Sequence, residues 1–265
     1  MGRYDTIEEV RKHASEARTF EEILKFNENH DRLGRFASSS GSAAGVAGAG
    51  KYQKLTHADA IAMAKEMGQD QMSNEDVNQM TDRLSGYFGT RNSFTINEDL
   101  REAAENGWDE PVLDDGSYET VEALDRNMRP STRDIQLARM TGDWFLESLG
   151  IDADPYDYDE KGLEEMQKAV GKVFSNGGYS STSFDIEQNV FKSRPVQLNI
   201  NAPKGTKMLV SPERDDYWAG KNAKKISEAE ILLARGTAMK VTGIRPKYRN
   251  GDVYGIEVDC EVLID

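Results

Sequence analysis

The sequence predicts an α+β protein in which a helical N-terminal portion precedes a mainly antiparallel sheet. Three observations carry this reading. Helical periodicity dominates to about Gly150, two-residue alternation takes over after it, and strands and helices never alternate as they would around a parallel sheet. No internal repeat is visible.

In chain order, Asp5 can cap a first amphipathic segment, with Glu8 in capping-box position and Ile7, Val10, Ala14, Ala17, Phe20, Ile23 and Leu24 at helical spacing. That periodicity ends near Asn27–Asn29, and residues 34–50 are almost wholly Gly, Ala and Ser, a composition that behaves as a flexible tether. Residues 1–33 thus read as a helical tail, 34–50 as a linker and 51–265 as the main domain. A helix on a tether is marginal in water. The tail therefore either docks on another chain or folds back on the domain.

Thr56 or Asp59 starts a helix running through Met67, and Ser73 starts another with Val77, Met80 and Leu84 on one face. Thr95 precedes a helix over Ile96–Ala104, and a further helix from about Thr120 to Met128 ends before Pro130. Helical text then shrinks to Gly142–Leu149 and Glu164–Phe174. Val196, Leu198 and Ile200 alternate with Gln197 and Asn199. Ile256, Val258, Cys260, Val262 and Ile264 alternate with Glu257, Asp259 and Glu261, the pattern of half-buried strands.

Composition narrows the function classes. The 265 residues carry 33 Lys plus Arg against 47 Asp plus Glu, a formal net charge of −14. Nucleic acid and anionic membrane surfaces are themselves negative, so neither is expected as a direct partner. One cysteine, Cys260, excludes an internal disulfide framework. No run approaches the roughly 20 apolar residues that span a bilayer. Asp5, Glu8 and Glu9 stand where a signal peptide would need an apolar core, which predicts a soluble, cytoplasmic protein.

Several cofactor sites are unsupported. Gly45-Val46-Ala47-Gly48-Ala49-Gly50-Lys51 has the spacing of a phosphate-cradling loop. However, Tyr52 stands where the magnesium-binding Ser or Thr belongs, and no strand precedes it. No Gly-x-Gly-x-x-Gly follows a predicted strand. His13, His30 and His57 lack a second ligand at metal spacing, so no metal is expected.

Three stretches carry more chemistry. Leu137-Ala138-Arg139-Met140 sets an arginine in an apolar, strand-like run, and such an arginine usually pairs with a carboxylate or phosphate because it cannot discharge. Tyr179-Ser180-Ser181-Thr182-Ser183-Phe184 is a hydroxyl cluster following Gly177-Gly178 at the start of a predicted strand. Glu228-Ala229-Glu230 precedes Ile231-Leu232-Leu233. On a strand, both carboxylates would share one face, roughly 7 Å apart. Alone, Glu-x-Glu is common and reads first as two solvent-facing glutamates.

In order along the chain, however, these stretches resemble the toxin-like ADP-ribosyltransferase family, in the branch marked by Arg, then Ser-Thr-Ser, then Glu-x-Glu. Residues 201–207 (NAPKGTK) are similar to the strand and turn after its Ser-Thr-Ser strand, and 228–237 (EAEILLARGT) to its final motif. Gly86-Tyr87-Phe88-Gly89 with Ile96-Asn97 and Leu100-Arg101 looks like its opening helices. The resemblance spans about residues 85–265 and implies a two-sheet ADP-ribosyltransferase core that uses NAD as substrate. It further implies that Arg139 holds the NAD diphosphate, Ser181 binds and orients the catalytic Glu230, and Thr182 and Ser183 support the strand. Phe191 and Arg194 would cover nicotinamide and phosphate, and Glu228 would mark the arginine-modifying subgroup.

The loop at 211–227 would meet the target protein through Tyr217 and Trp218, although both rings could equally pack the loop itself. The family usually has Tyr before its Arg and Gly after it. Ala138 and Met140 stand here, leaving the Met140 backbone to serve the nicotinamide. The implied activity is transfer of ADP-ribose from NAD to an arginine of a target protein. NAD hydrolysis at the same site, or a catalytically silent phage docking protein of this fold, are the alternatives. The tail adds a second resemblance: Asn29-His30-Asp31, then Gly34-Arg35-Phe36-Ala37 and the tether, look like the tails of phage head-associated and prophage proteins. That implies action in the producing or infected bacterial cell, or carriage in a virion.

Overall fold

The computed structural model describes residues 51–82, 85–88, 92–108, 110–156, 160–185, 193–211, 229–249 and 252–264. The expected tail (1–33), linker (34–50) and phosphate-loop decoy (45–50) lie outside the described residues, as do Leu84 and Gly89.

Short polar side chains start the helices. After a two-residue strand β1 (Gln53–Lys54), Thr56 caps α1 (His57–Glu66): its hydroxyl accepts from Asp59 N at 3.2 Å, and Asp59 Oδ2 accepts from Thr56 N at 2.9 Å. Ser73 caps α2 (Asn74–Met80), accepting from Asp76 N at 3.0 Å. A second segment begins earlier than the apolar pattern suggests, α3 at Asn92–Asn106. So does α4 (Asp115–Asn127), because Asp114 accepts from Ser117 N at 2.8 Å and caps it six residues before Thr120. Residues 86–88 form a turn rather than a helix, with Tyr87 N and Phe88 N both donating to Met80 O at 2.9 and 3.0 Å. The expected helix 164–174 is instead α6 (Glu160–Gln167), after α5 (Trp144–Ser148). Gly171, at φ 91, breaks the chain, so Val173 and Phe174 enter a strand, β4 (Val173–Ser175).

The remaining strands are β2 (Arg129–Pro130), β3 (Ile135–Thr141), β5 (Ser180–Ser183), β6 (Val196–Ala202), β7 (Lys207–Val210), β8 (Glu230–Leu233), β9 (Ala238–Arg249) and β10 (Asp252–Val262). They pair in the order β2-β7-β8-β5-β3-β6-β10-β9-β4, with β1 beside β3. The pairing is mainly antiparallel; β10–β6 and β1–β3 are parallel. The two expected sheets form one continuous path, joined at a single β3–β5 register pair, Ala138↔Ser183.

Two apolar cores explain the strand sequences. Val196, Leu198, Ile200 and Ala202 of β6 and Ile256, Val258, Cys260 and Val262 of β10 face a core shared with α1, α5 and α6. Their intervening polar residues carry the opposite face, where Arg245 donates to Glu257 at 2.6 Å and to Asp259. The strand ends at Val262, and Ile264 is exposed rather than continuing the alternation. By contrast, Ile231, Leu232 and Leu233 of β8 are all fully buried, since Ile231 and Leu233 enter the first core and Leu232 enters a second one under α2, α3 and α4. An unbroken apolar run is what a strand covered on both faces requires. Among the described residues, no helix is long and apolar enough to cross a membrane.

Candidate active site

Strand alternation sends Ile135, Leu137, Arg139 and Thr141 to one face of β3. The first two enter the core, whereas Arg139 is only partly buried and reaches the neighbouring strand, where Nη1 donates to Ser181 O at 2.7 Å. Because β3 and β5 pair only at Ala138↔Ser183, Arg139 bridges the strands at the point where their ladder stops.

On β5, Ser181 and Ser183 share a face. Ser183 lies opposite Glu230 on β8, and Ser181 lies opposite Leu232, so Ser181 and Glu230 are diagonal neighbours. The Ser181 hydroxyl donates to Glu230 Oε1 at 2.5 Å. Thr182 points the other way, is buried, and donates to Ile231 O at 2.5 Å, tying β5 to β8 by a side chain as well as by the ladder. Ser183 closes a turn by donating to Asp185 O at 2.8 Å. Arg139, Ser181 and Glu230, separated by 42 and 49 positions in sequence, thus form one hydrogen-bonded line across three strands.

Ala229 changes the reading of Glu-x-Glu. Strand β8 begins at Glu230, and Ala229, 1% exposed, has φ 48, the left-handed region. The strand therefore begins at Glu230, and Ala229 does not share the strand geometry expected for it. Glu228 itself lies outside the described residues, as do Phe191, Tyr217 and Trp218.

Electrostatically, the site is a meeting of cations around one acid. The Arg139 guanidinium is drawn below its usual range by burial and by the Arg194 and Arg101 guanidiniums, and is supported by Tyr87 and Glu230. Since an arginine does not discharge in a protein, this crowding is repulsion that a bound anion would relieve. Burial pushes the Tyr87 phenol up, and the Glu230 charge adds to it. Arg194 Nη1 donates to Met140 O at 3.4 Å, so the Met140 carbonyl is already engaged. The Met140 side chain is buried on the far face of β3, where its sulfur meets Lys247 Nζ at 3.6 Å. Among the described residues, no group of three His, Cys, Asp or Glu could hold a metal.

Tyr87 feels the charges of Glu230, Arg139 and Arg101 and bonds Asn97, although the sequence motifs assign Tyr87, Asn97 and Arg101 no role. Asn97 and Arg101 are four apart on α3 and therefore share a helix face, a signal present in the sequence. Asn97 Nδ2 donates to the Tyr87 hydroxyl at 2.7 Å, and Asn97 Oδ1 accepts from Tyr179 N, also at 2.7 Å. Tyr179 in turn donates to Asp125 Oδ1 at 2.7 Å, and Arg235 holds Asp125 Oδ2 at 2.5 Å. These bonds fix the start of β5 between α3 and α4.

The two glycines before β5 permit that approach. A Cβ on Gly178 would stand 2.5 Å from Asn97 Oδ1, and one on Gly177 would stand 2.5 Å from the Ala104 Cβ. Gly178→Ala is expected to lift α3 from β5, costing about 2 kcal/mol of overpacking and lowering the melting temperature by roughly 5 °C. Thermal unfolding checks this, and an unchanged midpoint would remove the positioning role given to Asn97.

A model of the ADP-ribosyltransferase exoenzyme family matches residues 62–264. The epidermal cell differentiation inhibitor of Staphylococcus aureus is 28% identical over 178 residues, 62% of this chain and 67% of that protein. The crystal structure of the Clostridium limosum C3 exoenzyme superposes with a TM-score of 0.59 at 21% identity, over 81% of this chain and 98% of that one. C3stau2 from S. aureus, solved with NAD, superposes with a TM-score of 0.57 at 20% identity, over 81% of this chain and 100% of that one. At these identities the superpositions establish the fold.

Proposed function

The chain belongs to the ADP-ribosyltransferase exoenzyme family, and from that premise we propose that it breaks the nicotinamide–ribose bond of NAD and transfers the ADP-ribose to an arginine side chain of a protein. The observation that carries this is the line Arg139–Ser181–Glu230, which sets a guanidinium and a hydrogen-bonded carboxylate at the two ends of one hydrogen-bonded path across three strands.

Breaking the C1′–N bond returns its electron pair to the pyridine nitrogen and leaves an oxocarbenium-like ribose. Glu230 faces that cation. Ser181 holds Oε1, so the carboxylate keeps one orientation without reorganising as charge develops. Arg139 and Arg194 hold the diphosphate, which neutralises their mutual repulsion. The Met140 backbone and Phe191 border the nicotinamide, and Thr182 keeps β5 in register with β8. A guanidinium nitrogen of the acceptor then forms the new bond to C1′ and loses a proton, which Glu228 takes as general base. Tyr217 and Trp218 contact the target protein.

The Glu228-x-Glu230 pattern supports arginine as the acceptor, because the acceptor is a cation that keeps its proton until a base removes it. The family match from residue 62 supports placing the transferase unit in 51–265, with 1–33 and 34–50 as a partner-docking tail and its tether.

Incubation with labelled NAD and a bacterial lysate tests the acceptor. Label is expected on protein, and neutral hydroxylamine, a nucleophile that displaces the guanidine nitrogen from C1′, is expected to release it. Label that survives hydroxylamine would remove the arginine assignment.

A further inference from the structure

Among the described residues, Thr141 Oγ1 is the only buried side-chain oxygen or nitrogen without a hydrogen-bond partner. The residue is 1% exposed, so bulk water does not serve it. Buried hydroxyls are nearly always satisfied, and an orphan in a native fold calls for a reason. Its position supplies one. Thr141 follows Arg139 by two residues and shares its face of β3. Across the ladder it lies opposite Val196, two residues after Arg194, whose guanidinium reaches the Met140 carbonyl between Arg139 and Thr141. The hydroxyl therefore stands at the same strand end as two cations that repel one another. A guanidinium has donors and no acceptor, so neither arginine can accept the threonine proton. A group that accepts from the threonine hydroxyl and offsets both positive charges is an anion with several oxygens.

The geometry points to Thr141 as a further binding residue for the dinucleotide, its hydroxyl donating to a diphosphate oxygen held between Arg139 and Arg194. This rests on the NAD reading given above, and it gives the orphaned hydroxyl an acceptor. Thr141→Val keeps the shape of the side chain and removes the donor, so it separates a ligand contact from a packing role. A packing or internal hydrogen-bonding role would make the variant less stable, whereas deleting an orphan donor leaves the empty protein as stable or more so.

The test measures ADP-ribose binding by titration calorimetry, and thermal unfolding without ligand, for the full chain and for Thr141→Val, Thr141→Ser and Arg139→Lys. Thr141→Val is expected to bind ADP-ribose roughly tenfold more weakly, the order for a hydrogen bond to a charged group, with an unfolding midpoint equal to or above that of the unaltered chain. Thr141→Ser, which restores the donor, is expected to bind within about threefold of the unaltered chain. If Arg139→Lys loses binding while Thr141→Val retains it in full, the Thr141 assignment is overturned and the NAD reading stands. If the unaltered chain does not bind ADP-ribose, or Arg139→Lys binds it equally, the NAD reading fails with it. A midpoint that falls for both Thr141 variants would also overturn the assignment, because it would mark a structural hydroxyl.

Discussion

Glu230→Gln is expected to lose both ADP-ribosyl transfer and nicotinamide release by about 10²–10³-fold, with little change in stability. The substitution preserves shape, and the amide oxygen can still accept from Ser181 Oγ, so the β5–β8 junction should remain intact. What disappears is the negative charge beside the ribose carbon. Preorganised electrostatic groups of this kind typically contribute roughly 3–4 kcal/mol to the transition state, which sets the expected loss. Because the charge acts on bond breaking itself, transfer and cleavage should fall together. Nicotinamide release and label incorporation, measured on the same preparation beside a melting curve, check this. Turnover within threefold of the unaltered chain would remove Glu230 from the mechanism.

Glu228→Gln is expected to separate the two activities. Transfer to arginine should fall about 100-fold, the lower range for loss of a general base, while NAD cleavage stays within about tenfold. Glu230 opens strand β8 and bonds Ser181, and Ala229 just before it has left-handed torsions. In the proposed mechanism the two carboxylates divide the work: Glu230 serves bond breaking and Glu228 serves the acceptor. Equal loss of transfer and cleavage would show that both glutamates serve bond breaking. An unaltered variant would return Glu228 to an ordinary surface acid.

Much of the fold was legible because it is written in local chemistry. Thr56, Ser73 and the alternation of 196–200 and 256–262 each declare an element within a few residues. The differences have equally local causes. Asp114 caps a helix that begins with Asp-Gly-Ser, a turn-like composition that hides its start, and helical spacing continues past Gly171, where φ 91 admits no helix. Tyr87, Asn97 and Arg101 were visible as part of a motif, yet their role was not, because it depends on α3 packing over the start of β5.

From the sequence alone came the order of helices before strands, the family resemblance, and the identities of Arg139, Ser181 and Glu230, since periodicity and spaced motifs are properties of the chain read along its length. Tertiary structure alone decided that the two sheets join at Ala138↔Ser183, that Arg139 spans that junction to the Ser181 carbonyl, that Ala229 takes left-handed torsions just before β8, and that Thr141 is buried without a partner. These are facts about contacts more than 40 residues apart, or about one residue's torsion under packing. The free energy that sets them comes from the neighbours each group acquires on folding, which no local window of sequence contains.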